Sequence, residues 1–272
     1  MDVEHLFARL AYITGEFPVN ILTEAVEQRA SITPLLLEEL RRAAADPEAL
    51  REKGDNYFRH IYAMYLLARF REQAAYPLLV DIVATPGDIV IEIMADVIPE
   101  DLGRMLASVC HGNLDPIKRL IENPEVNEWV RSAALDSLLN LYVEEQLARD
   151  DIIGYLQELF SFRVERKPGL VWSAMVTAAC DLHSGELMDE IRKAYEDDLI
   201  GPMDVSFPDI ENRLNSEKKY TQADIWLLRN GFIGELVDEI GWWSCFDVDI
   251  EDDDPDSKQQ MNPDIHKSLE WS

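Results

Sequence analysis

The carboxylates are the residues with the most evident capacity for chemistry. Glu92, Asp96 and Glu100 fall four residues apart, and Asp101 follows. On one continuous helix the first three would share a face. Such a face could hold a hard metal ion or supply an acid/base pair. Pro99 makes that helix doubtful, because its ring breaks the hydrogen-bond ladder and more readily starts a new helix. Neither a histidine nor a glycine-rich ligand loop accompanies the cluster. The competing interpretation is a solvated acidic face with one carboxylate engaged by an arginine.

Other reactive groups lack the spacing that catalysis needs. His5, His60, His111, His183 and His266 form no metal-binding pattern. Cys110 and His111 are neighbours, which on a helix point in different directions, so Cys110 reads as a core cysteine. Ser108, Ser132 and Ser173 lie in helical stretches rather than in a nucleophile elbow. No phosphate loop or dinucleotide fingerprint occurs, and no metal or cofactor is expected. Cys110, Cys180 and Cys245 are odd in number and far apart, as in a reducing compartment. Cys110 and Cys180 fall on apolar helical faces, so both should be buried and slow to react.

Two regions could bind. Arg59, His60, Tyr62, Tyr65 and Arg69, with Tyr57, Arg71 and Tyr76 nearby, form a relatively basic, aromatic-rich stretch. Tyrosine and arginine dominate binding hot spots, so this could be a recognition surface in a groove. The alternative is an amphipathic helix whose tyrosines belong to the core. Trp242 and Trp243, followed by Cys245 and Phe246, are either core that pins the last segment or a partner-docking motif.

These residues must be positioned by helices. Thr33-Pro34, Asp46-Pro47, Asp115-Pro116 and Asn123-Pro124 read as N-caps followed by a first-turn proline. Between them apolar residues recur every three or four positions, as in Ile61, Met64, Tyr65 and Ala68. Ile89-Val90-Ile91 is ambiguous, but Glu92 to Ala95 continues it in helical register. An internal repeat aligns Ala63, Ala95, Ala134 and Ala174, each copy followed by a second amphipathic segment. A helix pair at roughly 40-residue intervals is the period of a HEAT-type solenoid. The expected fold is all-α, a right-handed HEAT-like solenoid of four to five helix pairs with an acidic C-terminal tail. The divisions are an N-terminal helical cap at 1–54, repeats at 55–200, a C-terminal cap at 201–246 and an acidic, disordered tail at 247–272. Thr221 and Asp224 would start the cap helix with a capping box, and Ile225, Leu228 and Phe232 would form its apolar face.

Val130-Arg131 with Ala133-Ala134 resembles the signature of HEAT and phycobilisome-lyase-type repeats. A broader resemblance spans most of the chain. Tyr62 to Glu72, Ala75 to Leu79, Glu100 to Arg104, Leu106 to Ser108 and Leu120 to Pro124 resemble the bacterial domain-of-unknown-function family 1186. That resemblance implies a helical fold and no assigned activity. Some members end in a cysteine-rich, zinc-binding SEC-C motif. No cysteine follows Cys245 here, so the zinc site is not carried over.

With 25 Lys and Arg against 53 Asp and Glu, the net charge is −28. Such a surface repels phosphate backbones and anionic bilayers, so neither nucleic acid nor membrane is an expected partner. The start Met1-Asp2-Val3-Glu4 lacks a basic leader, and no apolar run has the length of a membrane span. These features suit a cytoplasmic protein. The leading expectation is a non-catalytic scaffold or adaptor binding a basic protein or peptide on a concave face. The alternative is a HEAT-like lyase or other enzyme with an acid/base pair in the groove. Arg131 is expected to form a structural ion pair with Asp96 or Asp101, one repeat earlier.

Overall fold

The computed structural model describes residues 1–201, 206–216, 222, 224–225 and 231–246. The expected acidic tail at 247–272, and Thr221 and Leu228 of the expected cap helix, lie outside the described residues. The chain is mostly helical. Among the described residues the only β pairing is an isolated bridge between Tyr12 and Tyr57. No helix there is long and apolar enough to cross a membrane.

The helices are α1 (Val3–Arg9), α2 (Val19–Glu27), α3 (Arg29–Ala45), α4 (Pro47–Arg51), α5 (Arg59–Arg69), α6 (Ala75–Val83), α7 (Ile89–Met94), α8 (Val97–Glu100) and α9 (Leu102–Val109). They continue with α10 (Asp115–Glu122), α11 (Glu128–Val143), α12 (Arg149–Glu158), α13 (Leu170–Asp181), α14 (Met188–Glu196) and α15 (Phe207–Asn215). A π-helical turn, Leu159–Arg163, extends α12, and a short helix, Leu236–Ile240, lies near the C-terminus.

Local chemistry explains several of these ends. The Asp46 side chain accepts the Ala49 N–H at 3.0 Å, and Pro47 opens α4 without losing an intrahelical bond. Pro116 likewise falls in the first turn of α10. Two other signals are corrected. Pro34 lies inside α3, not at its start. The helix begins at Arg29 because Ile32 belongs to the buried stripe with Leu36, Leu40 and Ala43. Burying that stripe outweighs the bond proline removes. Asn123 caps a turn, its side chain accepting the Glu125 N–H. The helix that follows starts later, where the Asn127 side chain accepts the Trp129 N–H at 3.0 Å.

Successive helices pack in order. α3 lies against α5 and α6, α5 against α9, α9 against α11, α11 against α13, and α13 against α15. α10 packs beside α6 and α11, and α12 beside α13. Ala63 and Ala134 are buried at these contacts, as the repeat predicts. Ala95 and Ala174 are not equivalent to them. Ala95 is exposed and ends α7 with a φ of 44°, and Ala174 is half-buried. The small residue of that region is Gly103 on α9. A Cβ there would lie 2.6 Å from the Ala133 carbonyl oxygen, so only glycine permits this approach of α9 to α11.

α5 is the central helix. Every residue from His60 to Ala68 is buried, so it has no solvent face.

Candidate functional site

That burial decides the fate of the aromatic-rich stretch. Tyr62 and Tyr65 are core residues and cannot line a recognition surface. Tyr62 meets Phe58 edge-on at 5.0 Å, and the Tyr65 hydroxyl donates to Asp101. Burial is the first cause raising the Tyr65 pKa, and the Asp101 carboxylate beside it adds to the effect. Arg59 stacks over the Phe7 ring at 4.5 Å and approaches Glu39. Arg69 is paired with Glu235. Trp243 is half-buried against Phe58 and Tyr65, whereas Trp242 is 63% exposed.

The Arg131 pairing also differs from expectation. Arg131 is 1% exposed and makes a bidentate pair with Glu165, at 2.6 and 2.8 Å. Its Nε donates to the Ile121 carbonyl at 2.9 Å. The partner therefore comes from the segment between the π-helical turn and α13, not from Asp96 or Asp101. Those two are placed elsewhere: Asp96 is exposed, and Asp101 is buried in a network around Arg104.

Arg104 was not singled out from the sequence. The available signal was an arginine among Leu102, Met105, Leu106 and Val109, since a cation on an apolar helix needs buried carboxylates. Its guanidinium donates to Asp101 at 2.6 Å and to Glu239 at 2.5 and 2.7 Å. It also donates to the carbonyls of Gly231 and Phe232, at 3.1 and 3.0 Å. Arg71 helps from α5's end. It lies over the Phe232 ring at 3.8 Å and donates to the Ser108 hydroxyl, which accepts the Ile233 N–H at 3.1 Å. Together these arginines hold residues 231–246 against α5 and α9. The Tyr65, Asp101 and Arg104 side chains are committed to one another, so this network serves structure.

Docking that segment creates a cleft of about 380 Å³. One wall is Trp242 to Cys245. The others come from Phe58, His60 and Ile61 of the α5 region and from residues 92–97 and Glu100 around α7 and α8. Four carboxylates line it, Asp55, Glu92, Asp96 and Glu100, and among the described residues no Lys or Arg does. Partial burial raises the Glu100 pKa, and the neighbouring Asp101 and Asp96 charges raise it further. Arg51 touches Glu92 from outside the cleft at 3.4 Å. His60 is 4% exposed, with Nε2 lying 2.7 Å from the Ile93 carbonyl oxygen. Its Nδ1 and the Trp243 indole nitrogen are buried without a hydrogen-bond partner. The cleft thus combines a negative field and an aromatic wall. Among the described residues, no group of three or more His, Cys, Asp or Glu is placed to hold a metal ion.

A family model described as a protein of unknown function, DUF1186, matches residues 1–247. A Chlamydia trachomatis protein described as uncharacterised is 35% identical over 243 residues, covering 89% of this chain and 96% of the relative. An uncharacterised Chlamydia muridarum protein is 37% identical over 243 residues, covering 89% and 97%. No solved structure matches the chain.

Proposed function

Because the chain belongs to the DUF1186 family of proteins of unknown function, we propose a role from its own geometry: a non-catalytic cytoplasmic adaptor that binds a basic protein or peptide. The observation that carries this reading is the cleft with four carboxylates and, among the described residues, no Lys or Arg in its lining. Like charges held together on a low-dielectric wall attract a cation, and the aromatic wall favours one on an apolar stem. The net charge of −28 steers a basic partner toward the whole molecule. In this proposal the ordered packing of α3, α5, α9, α11, α13 and α15 is a HEAT-like right-handed solenoid. Residues 1–54 and 201–246 act as its caps, and the latter also complete the cleft.

Catalysis is the second reading, and one observation favours it. Burial lowers the pKa of His60, so its ring is neutral, and its Nδ1 has no partner. Such a nitrogen is competent to take a proton. The adaptor reading is preferred because no nucleophile hydrogen-bonds to Nδ1, and Tyr65 spends its proton on Asp101.

The test is affinity capture from a bacterial lysate with the parent and with a variant carrying Asp55→Asn, Glu92→Gln, Asp96→Asn and Glu100→Gln. Basic proteins retained by the parent should be lost from the variant. Equal recovery by both, or capture of acidic proteins, would overturn the proposal.

A further inference from the structure

We infer that the face of α5 and α9 under residues 231–246 is a peptide-recognition surface, filled here by the chain's own segment. In exchange it takes an acidic, extended segment of the same pattern from a partner. It is separate from the carboxylates of the cleft, and a basic partner there and an acidic one here are different ligands.

The way this segment is held points to recognition. Gly231 to Glu235 form no regular secondary structure, and the five-residue helix Leu236–Ile240 follows. Among the described residues, no backbone–backbone hydrogen bond joins residues 231–246 to the rest of the chain. Side chains of the body hold the segment instead. Arg104 donates to the carbonyls of Gly231 and Phe232 and to the Glu239 carboxylate. The Ser108 hydroxyl accepts the Ile233 N–H at 3.1 Å, and Glu144 accepts the Phe232 N–H at 3.0 Å. Arg69 pairs with Glu235, and Arg71 lies over the Phe232 ring. Side chains that clamp an extended backbone, with arginines choosing carboxylates, are the means by which grooves select acidic peptides.

The surface keeps its own polar pairs when its occupant leaves. Arg104 retains Asp101 at 2.6 Å, Asp101 retains the Tyr65 hydroxyl, and Arg71 retains the Ser108 hydroxyl at 2.8 Å. Undocking therefore avoids the penalty of stranding a buried charge in the body. The departing Glu239 retains the Gly234 N–H at 2.7 Å. The apolar anchors are few. Ile233, Leu236, Ile240 and Phe246 are buried, whereas Val237 and Trp242 are exposed. Elements with few buried apolar contacts open at a lower free energy than the whole fold. A partner segment refills the contacts if it carries an aromatic ring in place of Phe232, an aliphatic in place of Ile233, and carboxylates in place of Glu235 and Glu239. Three arginines meet this segment in a chain whose net charge is −28, so a basic segment is disfavoured here.

The experiment is fluorescence anisotropy of a labelled synthetic peptide of residues 231–246, titrated with the full chain. The chain's own copy competes at the high effective concentration of a tethered group, so the parent should bind the peptide weakly. Glu235→Gln together with Glu239→Gln in the chain loosens the resident copy. That variant should bind the unchanged peptide saturably and at least about fivefold more tightly than the parent does. A peptide carrying the same two changes should bind the variant at least about tenfold more weakly than the unchanged peptide. Absence of saturable binding to both chains would overturn the inference, and so would a variant that binds no more tightly than the parent. Equal binding of the two peptides would overturn the acidic pattern. If the variant does not fold, hydrogen exchange of the parent decides. The Ile233 amide should exchange at least about tenfold faster than the amides of α5. Exchange as slow as that of α5 would show that the segment leaves only when the whole protein unfolds, and no partner could then replace it.

Discussion

Removing the Arg104 guanidinium should destabilise the whole protein and undo its cleft. The side chain makes five hydrogen bonds, three to carboxylates and two to carbonyls. Arg104→Met preserves the apolar stem and deletes all five. Glu239 can turn to solvent, but Asp101 lies among buried helices and keeps only the Tyr65 hydroxyl. Breaking a buried pair by removing one member costs about 3–5 kcal/mol, because the other charge is left uncompensated. For a chain of this size each kcal/mol lowers the melting temperature by about 2–4 °C, so a drop on the order of 10 °C is expected. Far-UV circular dichroism with heating measures it. Adding Asp101→Asn removes the stranded charge while keeping an acceptor for Tyr65, and should recover part of the loss. Arg104→Met melting with the parent would show that the buried pair contributes nothing to stability. A double variant less stable than the sum of the two single changes would show that Asp101 is not left stranded.

Other perturbations follow from the same structure. Gly103→Ala pushes a Cβ into the Ala133 carbonyl, so chemical denaturation should report a loss of about 1–3 kcal/mol. Cys110 and Cys180 are fully buried, and burial pushes the Cys180 thiol up to about 11, whereas Cys245 is partly open on the cleft wall. Burial raises the Cys245 pKa as well, but its partial exposure should make it the one thiol of the three that a maleimide reaches in the native state, and a lysine-containing peptide should protect it. His60 has a lowered folded pKa through burial, with Glu39 opposing and Lys53 reinforcing that shift. The unfolded chain binds the extra proton below about pH 6.5, so stability should fall as pH drops through that value, and less so in His60→Gln. Glu165 is held below the ordinary glutamate range chiefly by the Arg131 hydrogen bonds. Glu165→Gln should lower the melting temperature at pH 7, and the difference should shrink as pH falls below about 4.

Local signals made much of the helical order legible. The Asp46-Pro47 cap, the buried cysteines and the second segments at Tyr76, Pro116 and Ile152 were readable because each depends on neighbours within one or two turns. Pro34 stands inside α3 because the stripe of Ile32, Leu36, Leu40 and Ala43 around it is buried, and that burial comes from packing on α5 and α6, which the local sequence does not record. The repeat was misplaced at Ala95 for a related reason. An alanine pattern is visible in sequence, but the tight approach of α9 to α11 belongs to Gly103, which lies outside that pattern. The Arg131 partner could not be read, because several carboxylates stand at comparable separations and only packing chooses among them. The cleft was the least legible feature. In the sequence its carboxylates form a cluster, and Trp242 and Trp243 a separate patch. Bringing them together requires Arg104 to meet Glu239 across a separation of 135 residues, which no periodicity records.

In the proposed function the carboxylate-lined cleft recognises a basic chain. Fluorescence anisotropy of a labelled peptide of alternating lysine and glycine, titrated with the parent and with the variant neutralised at Asp55, Glu92, Asp96 and Glu100, tests it directly. Saturable binding to the parent is expected, at least about tenfold weaker in the variant at equal salt. Equal affinity for parent and variant would contradict it, since the peptide would then be reading only the general charge of the surface.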